Sequence, residues 1–278
     1  MQSMLASRGL PSGAVQSAVG CLAKVLAAEL PTESGSLAAG VCQEALRALE
    51  HESPELPSFL KPHAPQGRLA ASYLLALLEG DRARASRLIW EAVDSGSSVP
   101  DLYLRVLLPA QQEVGRMWQA NEINVAEEHF ATSTTKTILA QLRLRAPLQA
   151  PNGKTLLAAA VMGNHHDVGL QVVADFFEMA GWRVIQLGSD MPIPDLVQAV
   201  EFYQPDLVAL SVSLHTQLVT LTETIQAVRR GQRGAAVKIL VGGRALAEAA
   251  DLVQQFGADG YAADPNAAVS VGNALVGL

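Results

Sequence analysis

The sequence predicts a helical N-terminal part with a four-helix bundle, followed by a doubly wound parallel α/β sheet. Three observations carry this expectation. The pattern changes character near Pro151, from helical periodicity to alternating strands and helices. Before it, four amphipathic stretches with short connections lie at about 66–79, 81–95, 99–120 and 123–146. After it, five short apolar runs alternate with helical segments within 151–278.

The elements follow in order. Residues 13–30 and 36–50 carry apolar positions at helical spacing and are rich in Ala and Leu. Pro54, Pro57, Pro62 and Pro65 then break the chain into an irregular linker. Gly80-Asp81 and Ser95-Gly96-Ser97-Ser98 separate the first three bundle helices, and Pro100 suits a helix start. The strands expected are Leu156–Val161, Arg183–Leu187, Leu207–Val212, Lys238–Val241 and Gly260–Ala262. Helices are expected at 167–181, 193–203, 215–230, 244–256 and 266–277. Such βα repeats imply a flavodoxin-like or Rossmann-like sheet, which takes ligands at the C-terminal ends of its strands. The organisation read from this is a helical segment at 1–65, a bundle at 66–150 and a sheet domain at 151–278.

Composition narrows the function. Apolar residues make up 49% and charged residues 17% of the 278, an ordinary globular balance. The net charge of −7 and the shortness of the basic stretch Arg82, Arg84, Arg87 argue against a nucleic-acid binder. Cys21 and Cys42 have no metal-binding spacing, sit in apolar helical patterns and are expected as buried free thiols. No signal peptide or membrane-spanning run is visible, so a cytoplasmic location with no membrane partner is expected.

The chemistry gathers at the strand ends. The first strand runs into Gly163-Asn164-His165-His166-Asp167-Val168-Gly169. A dinucleotide site would place glycines where this loop has histidines, so NAD or FAD fits poorly. An imidazole here can ligate a metal from outside the sheet. The third strand ends in Ser211-Val212-Ser213 and the fourth in Gly242-Gly243. Hydroxyls on one loop and bare backbone on the next suit a bulky polar ligand. Taken singly, each piece has an ordinary reading as a polar loop, a helix cap or a turn. Their order and spacing together argue otherwise.

That order resembles the cobalamin-binding signature Asp-x-His-x-x-Gly, then Ser-x-Leu, then Gly-Gly. The resemblance implies a base-off, His-on cobalamin with His166 as the lower axial ligand to cobalt. It implies a displaced nucleotide tail that threads past Ser211, Ser213, Gly242 and Gly243, with Tyr261 lining the same pocket. His165, Asp167, Val168 and Gly169 belong to the loop beneath the corrin. Asn164 stands where the family usually has Asp, and Ser213 where Leu is common. An amide can orient the ligand His but cannot accept its proton, which implies a weaker His–cobalt bond or altered proton coupling.

Trp118 followed by Glu128-His129 resembles the cap of CarH-type cobalamin photoreceptors. In that family these residues sit above the corrin's upper face and shelter the adenosyl group, so the implied ligand is adenosylcobalamin. The ordinary alternative is a packing Trp and a solvated Glu-His face. Gln119 departs from the His that often follows the cap Trp, which implies that the lit state uses His129 or water, or that no two-His adduct forms. Residues 1–65 lack a basic recognition helix, so direct DNA binding is not expected. The resemblance thus implies a light-sensing or signalling protein, not an enzyme, with homo-oligomerisation and an unidentified downstream protein partner. Photocobilins, relatives without the DNA-binding part, add biliverdin as a second chromophore. The alternative is a corrinoid methyl-carrier subunit of a methyltransferase system.

Overall fold

The computed structural model describes residues 4–5, 7–11, 13–51, 57–61, 63–247 and 253–278. The chain divides into two units. One comprises Met1–Ser95 and Leu104–Thr135, the other Gly96–Tyr103 and Lys136–Leu278. Among the described residues no helix is long and apolar enough to cross a membrane.

The first unit holds α1 (Ala14–Glu29), α2 (Thr32–His51), α3 (Gly67–Leu78), α4 (Arg82–Asp94), α6 (Leu108–Gln119) and the start of α7 (Val125–Arg143). Its core gathers Tyr73, Leu77, Ile89, Val106, Leu107 and Ala110, all essentially inaccessible. The Asp81 side chain caps α4 by accepting from the Arg84 N–H at 2.8 Å. α1 and α2 pair as a hairpin. A lone pair of helices can bury only one stripe, so Leu22, Val25, Leu37 and Val41 remain exposed. Cys42 is buried as expected, but Cys21 is exposed, because it lies off that stripe.

The single helix expected over 99–120 is broken in three. Short α5 (Val99–Leu102) leads into a π-helical turn, Tyr103–Leu107, and then α6. Pro109 supplies the reason. A proline inside a helix cannot donate to the carbonyl four residues back, and its ring crowds that carbonyl. Widening the preceding turn relieves the conflict.

The second unit is built on a five-stranded parallel sheet in the order β2-β1-β3-β4-β5. Its elements are β1 (Thr155–Val161), α8 (Val168–Met179), β2 (Arg183–Met191), α9 (Ile193–Tyr203), β3 (Leu207–Ser211), α10 (Leu218–Arg230), β4 (Lys238–Gly242), β5 (Gly260–Ala262) and α11 (Pro265–Val276). The period of two along β1 sorts its side chains. Leu157, Ala159 and Val161 pack with Leu196, Val200, Leu221 and Ile225 of α9 and α10. Leu156, Ala158 and Ala160 pack with Leu170, Ala174 and Phe177 of α8 and Ala268 of α11. Both faces are covered, which is why the strands read as unbroken apolar runs. The helical region followed by this sheet is the fold class the sequence predicts. One helix differs: Arg244–Leu246 is a 3₁₀ turn and 253–257 are turns. The rest of the helix expected over 244–256 lies outside the described residues. β2 also runs on to Met191, with irregular pairing to β1 after Ala158.

A buried polar cluster ties α7 and Tyr103, the residue after α5, to α8 within this unit. The Tyr103 hydroxyl lies 2.9 Å from both the Leu139 carbonyl oxygen and Asp175 Oδ2. The hydroxyl proton is shared between these two acceptors, the Leu139 carbonyl and the Asp175 carboxyl. Burial pushes the Asp175 carboxyl up to about 6 from 3.8; Glu178 adds to the rise, while Tyr103 and Arg143 oppose it. The folded chain therefore binds more protons than the unfolded chain between those two values. Stability from this group is full below about 3.8, falls as pH rises, and is lost above about 6. Asp175→Asn keeps a donor and removes the charge. It is expected to stabilise the protein by about 2–3 kcal/mol near pH 8 and by little near pH 4, read from denaturant midpoints at both.

Candidate cobalamin site

The order β2-β1-β3-β4-β5 reverses direction between β1 and β3, so the loops after these strands diverge and leave a crevice. The loop after β1 carries the candidate ligand. Gly163 adopts a φ of +81°, turning the chain out of the strand. Asn164 then points inward and is wholly buried. Its Nδ2 donates to the Ser211 carbonyl at the end of β3, at 3.0 Å. That bond fixes which way the amide faces. Its Oδ1 therefore turns to His166, accepting from the backbone N–H at 3.1 Å and lying 3.2 Å from Nδ1.

The consequence is a defined tautomer. An amide oxygen only accepts, so in the neutral ring the proton sits on Nδ1 and the lone pair on Nε2. The His166 ring is exposed, so that lone pair is available. This is the arrangement a metal-ligating imidazole needs. Asn164 orients the His166 ring through an acceptor that offers no site for the proton.

The other expected residues of this unit fall around the same strand ends. His165 and Gly169 are exposed, and Asp167 and Val168 are half-buried at the start of α8. Asp167 Oδ2 accepts from Lys136 Nζ at 2.8 Å. A Cβ at Gly169 would meet no atom within 4 Å, so the protein itself does not require glycine there. Open space at that position suits a ligand lying over the loop. Gly243 is different. With a φ of +111°, its Cβ would fall 2.1 Å from the Val212 carbonyl oxygen. Only glycine lets β4 end this close to the chain leaving β3. Ser211, Ser213 and Gly242 are half-buried there, and Tyr261 on β5 is partly buried against the core.

Two positioning residues escape the sequence pattern. Gln217 is buried and joins both loops. Its Nε2 donates to the Gly163 carbonyl at 2.8 Å, while its Oε1 accepts from Ser213 and Leu214 N–H at 3.1 and 3.0 Å. Asp190, with a φ of +53°, brackets the Gly163–Asn164 peptide. Its Oδ1 accepts from Gly163 N–H at 2.7 Å, and its own N–H donates to the Asn164 carbonyl at 3.0 Å.

The remaining candidates, Trp118, Glu128 and His129, belong to the first unit. Glu128 and His129 are in the first turn of α7 and joined, Oε2 to Nδ1, at 2.5 Å. The His129 side chain is 75% exposed. The Thr132 hydroxyl lies 2.6 Å from Glu128 Oε1 and 3.0 Å from Gln111 Oε1. Gln111 Nε2 donates to Thr135, which hydrogen-bonds Tyr73. Trp118 is partly exposed, with the Arg8 guanidinium 5.1 Å above its ring. Arg8 also donates to the Trp118 and Gln119 carbonyls at the end of α6. An isolated N-terminal arginine gave no signal of this.

Among the described residues no group of three or more His, Cys, Asp or Glu side chains is placed to hold a metal ion. A single free imidazole fits a metal that brings its other ligands in a macrocycle. Comparison with known proteins agrees. Residues 154–270 match the B12 binding domain family model, and residues 69–143 match a second model described as a B12 binding domain. A corrinoid protein of Desulfitobacterium hafniense (strain Y51) is 24% identical over 206 residues, 73% of this chain and 94% of that protein. The trimethylamine corrinoid protein of Methanosarcina barkeri is 26% identical over 199 residues, covering 70% and 90%. The HTH-type transcriptional repressor CarH of Myxococcus xanthus is 32% identical over 191 residues, covering 66% of this chain but 60% of that protein. The structure of the Methanosarcina barkeri monomethylamine corrinoid protein has the same fold, with a TM-score of 0.63 at 20% identity, covering 77% of this chain and 100% of that one. Together the two domain matches and these relatives support cobalamin binding by this chain.

Gln217→Ala removes the bridge between the two loops and takes the hydrogen-bond partner from three backbone groups, the Gly163 carbonyl and the Ser213 and Leu214 N–H groups. We expect a loss of about 2–3 kcal/mol in stability and about tenfold weaker cobalamin binding. Denaturant unfolding and a spectral titration measure the two effects separately.

Proposed function

We propose that this protein is a light-responsive signalling protein that holds adenosylcobalamin base-off, with His166 Nε2 as the lower ligand. The observation that carries the cofactor half is the fixed amide of Asn164. It selects the neutral tautomer with the lone pair on Nε2, on an exposed imidazole at the switch point of the sheet. Bound adenosylcobalamin supplies a photolabile cobalt–carbon bond. The chain's own residues do the rest. Asn164 holds the His166 tautomer, Gln217 fixes the loops that would flank the nucleotide tail, and Gly242-Gly243 let backbone approach it.

The sensing half rests on Trp118 and the Glu128–His129 pair. Trp118 and His129 are exposed and Glu128 is half-buried on the first unit. Glu128 is also wired inward through Thr132, Gln111 and Thr135 to buried Tyr73. A change at the pair therefore has a hydrogen-bonded route into the core of that unit, which suits a switch.

A second reading is a corrinoid methyl carrier working with separate methyltransferases. It is favoured by coverage. The chain spans 94% of the Desulfitobacterium corrinoid protein and 90% of the trimethylamine corrinoid protein. Under that reading the Glu128–His129 pair has no specific task.

The two readings part under light. Adenosylcobalamin-loaded protein is expected to change its absorption spectrum and its size-exclusion profile on illumination, and Trp118→Ala to weaken its preference for the adenosyl over the methyl form. A loaded protein that shows neither change, yet passes a methyl group to a corrinoid methyltransferase, is a carrier. Biliverdin added to the loaded protein tests the second chromophore through a new long-wavelength band. His166→Ala is expected to weaken cobalamin binding about tenfold or more and to remove the spectral signature of imidazole ligation. An unchanged spectrum would overturn the ligand assignment under either reading.

A further inference from the structure

The strands' C-terminal ends carry the loops described above. Their N-terminal ends carry a different chemistry. There a cavity of about 240 Å³ is lined by Lys154, Asp206, Arg233, Lys238, Leu275 and Val276. Lys154 and Asp206 immediately precede β1 and β3, and Lys238 opens β4. Three cations therefore line the cavity with one carboxylate, in a chain whose net charge is −7.

The nearby acids are already engaged. Asp206 accepts from the Thr155 N–H at 2.9 Å and from Lys154 Nζ at 3.3 Å. Asp259 accepts from the Ile239 N–H at 2.7 Å and from Arg229 at 2.5 Å. That leaves Lys238 Nζ 3.9 Å from its nearer oxygen, too far for a hydrogen bond. Glu201 accepts from the backbone N–H of Arg233 at 3.2 Å.

Arg233 is the telling residue. Its Nε is buried and has no hydrogen-bond partner. A buried guanidinium N–H without an acceptor is costly, and native structures rarely leave one so. The turn that presents it is tightly determined. The Arg233 carbonyl accepts from the N–H groups of Ala236 and Val237. Arg229 clamps the Gly234 and Val237 carbonyls at 2.9 and 2.8 Å. A Cβ at Gly234 would lie 2.1 Å from the Arg229 carbonyl oxygen, so the turn needs its glycine. The backbone that carries Arg233 is thus fixed, and its Nε proton has no acceptor within the protein.

We propose that this cavity binds a phosphate-class oxyanion, either free phosphate or a phosphate monoester, through Arg233, Lys238 and Lys154. A planar guanidinium fork with two ammonium groups matches a tetrahedral anion that offers several oxygens. The apolar wall from Leu275 and Val276 gives a monoester's organic part a surface to lie on. None of the residues that hold His166 takes part, so this proposal stands or falls apart from the corrinoid reading.

The test titrates the full chain with sodium phosphate, with glycerol phosphate, and with sodium chloride at matched ionic strength. Thermal midpoint and calorimetric heat are followed. A saturable rise with either phosphate, absent with chloride, is expected. Tighter binding of glycerol phosphate identifies a monoester site; equal or weaker binding identifies a free-phosphate site. Arg233→Ala and, with less risk to the turn, Lys238→Ala are each expected to weaken binding about tenfold while leaving cobalamin titration unchanged. A rise matched by chloride, or phosphate binding undiminished in both variants, overturns the proposal.

Discussion

The site depends on one hydrogen bond between two strand ends, from Asn164 Nδ2 to the Ser211 carbonyl. Without it the amide could turn over, presenting a donor instead of an acceptor to His166. Nδ1 would then have to accept, the proton would move to Nε2, and the ring would lose its outward lone pair. Which nitrogen of an exposed histidine turns its lone pair outward is thus set by a wholly buried neighbour. An acidic side chain at the same position would accept from Nδ1 equally well. It could not donate to Ser211, and it would offer its own charge to the imidazole proton. Asn164 orients the ring without placing a charge beside it.

That bond is possible only because β1 and β3 are neighbours. Ala160 pairs with Ser211, so the loop leaving β1 starts level with the end of β3. Ser211 in turn pairs with Gly242. The same register brings the glycine pair against the chain leaving β3, where the Gly242 carbonyl accepts from the Val212 N–H at 3.0 Å. Sheet order, register and loop geometry therefore fix one another. The apolar alternation along β1 locks the register, since a slip of one residue would exchange the α9–α10 face for the α8–α11 face.

Much of this was legible in the sequence because it is periodic or covalent in origin. Apolar runs between helical patterns give a two-faced parallel sheet directly, and a polar histidine loop after the first run names the crevice. What was not legible depends on long-range placement. Gln217 reads as an unremarkable polar residue at a helix start until the fold sets it 2.8 Å from Gly163, fifty-four positions earlier. Asp190 reads as part of a turn after a strand, and only its positive φ shows that it brackets the same peptide. The π-helical turn before Pro109 carried a signal, a proline inside a helical pattern, that outweighs periodicity locally. Cys21 shows the limit of periodicity itself. A helical stripe says which residues share a face, not whether anything packs on it.

The two ends of the sheet are built on opposite electrostatic plans. At the C-terminal ends the fixed contacts are amides, backbone groups and glycines, with Asp167 neutralised by Lys136. The Asp190 carboxylate is taken up by the Gly163 N–H, so the surface there is mainly hydrogen-bonding, with the imidazoles of His165 and His166 exposed. At the N-terminal ends charge predominates, and the acids are spent on backbone N–H groups and on Arg229 and Lys154. In a chain of net charge −7 the distant field repels an anion, and only short-range contacts can hold one. Cations kept in place by a rigid turn supply such contacts, because their geometry is fixed before any ligand arrives.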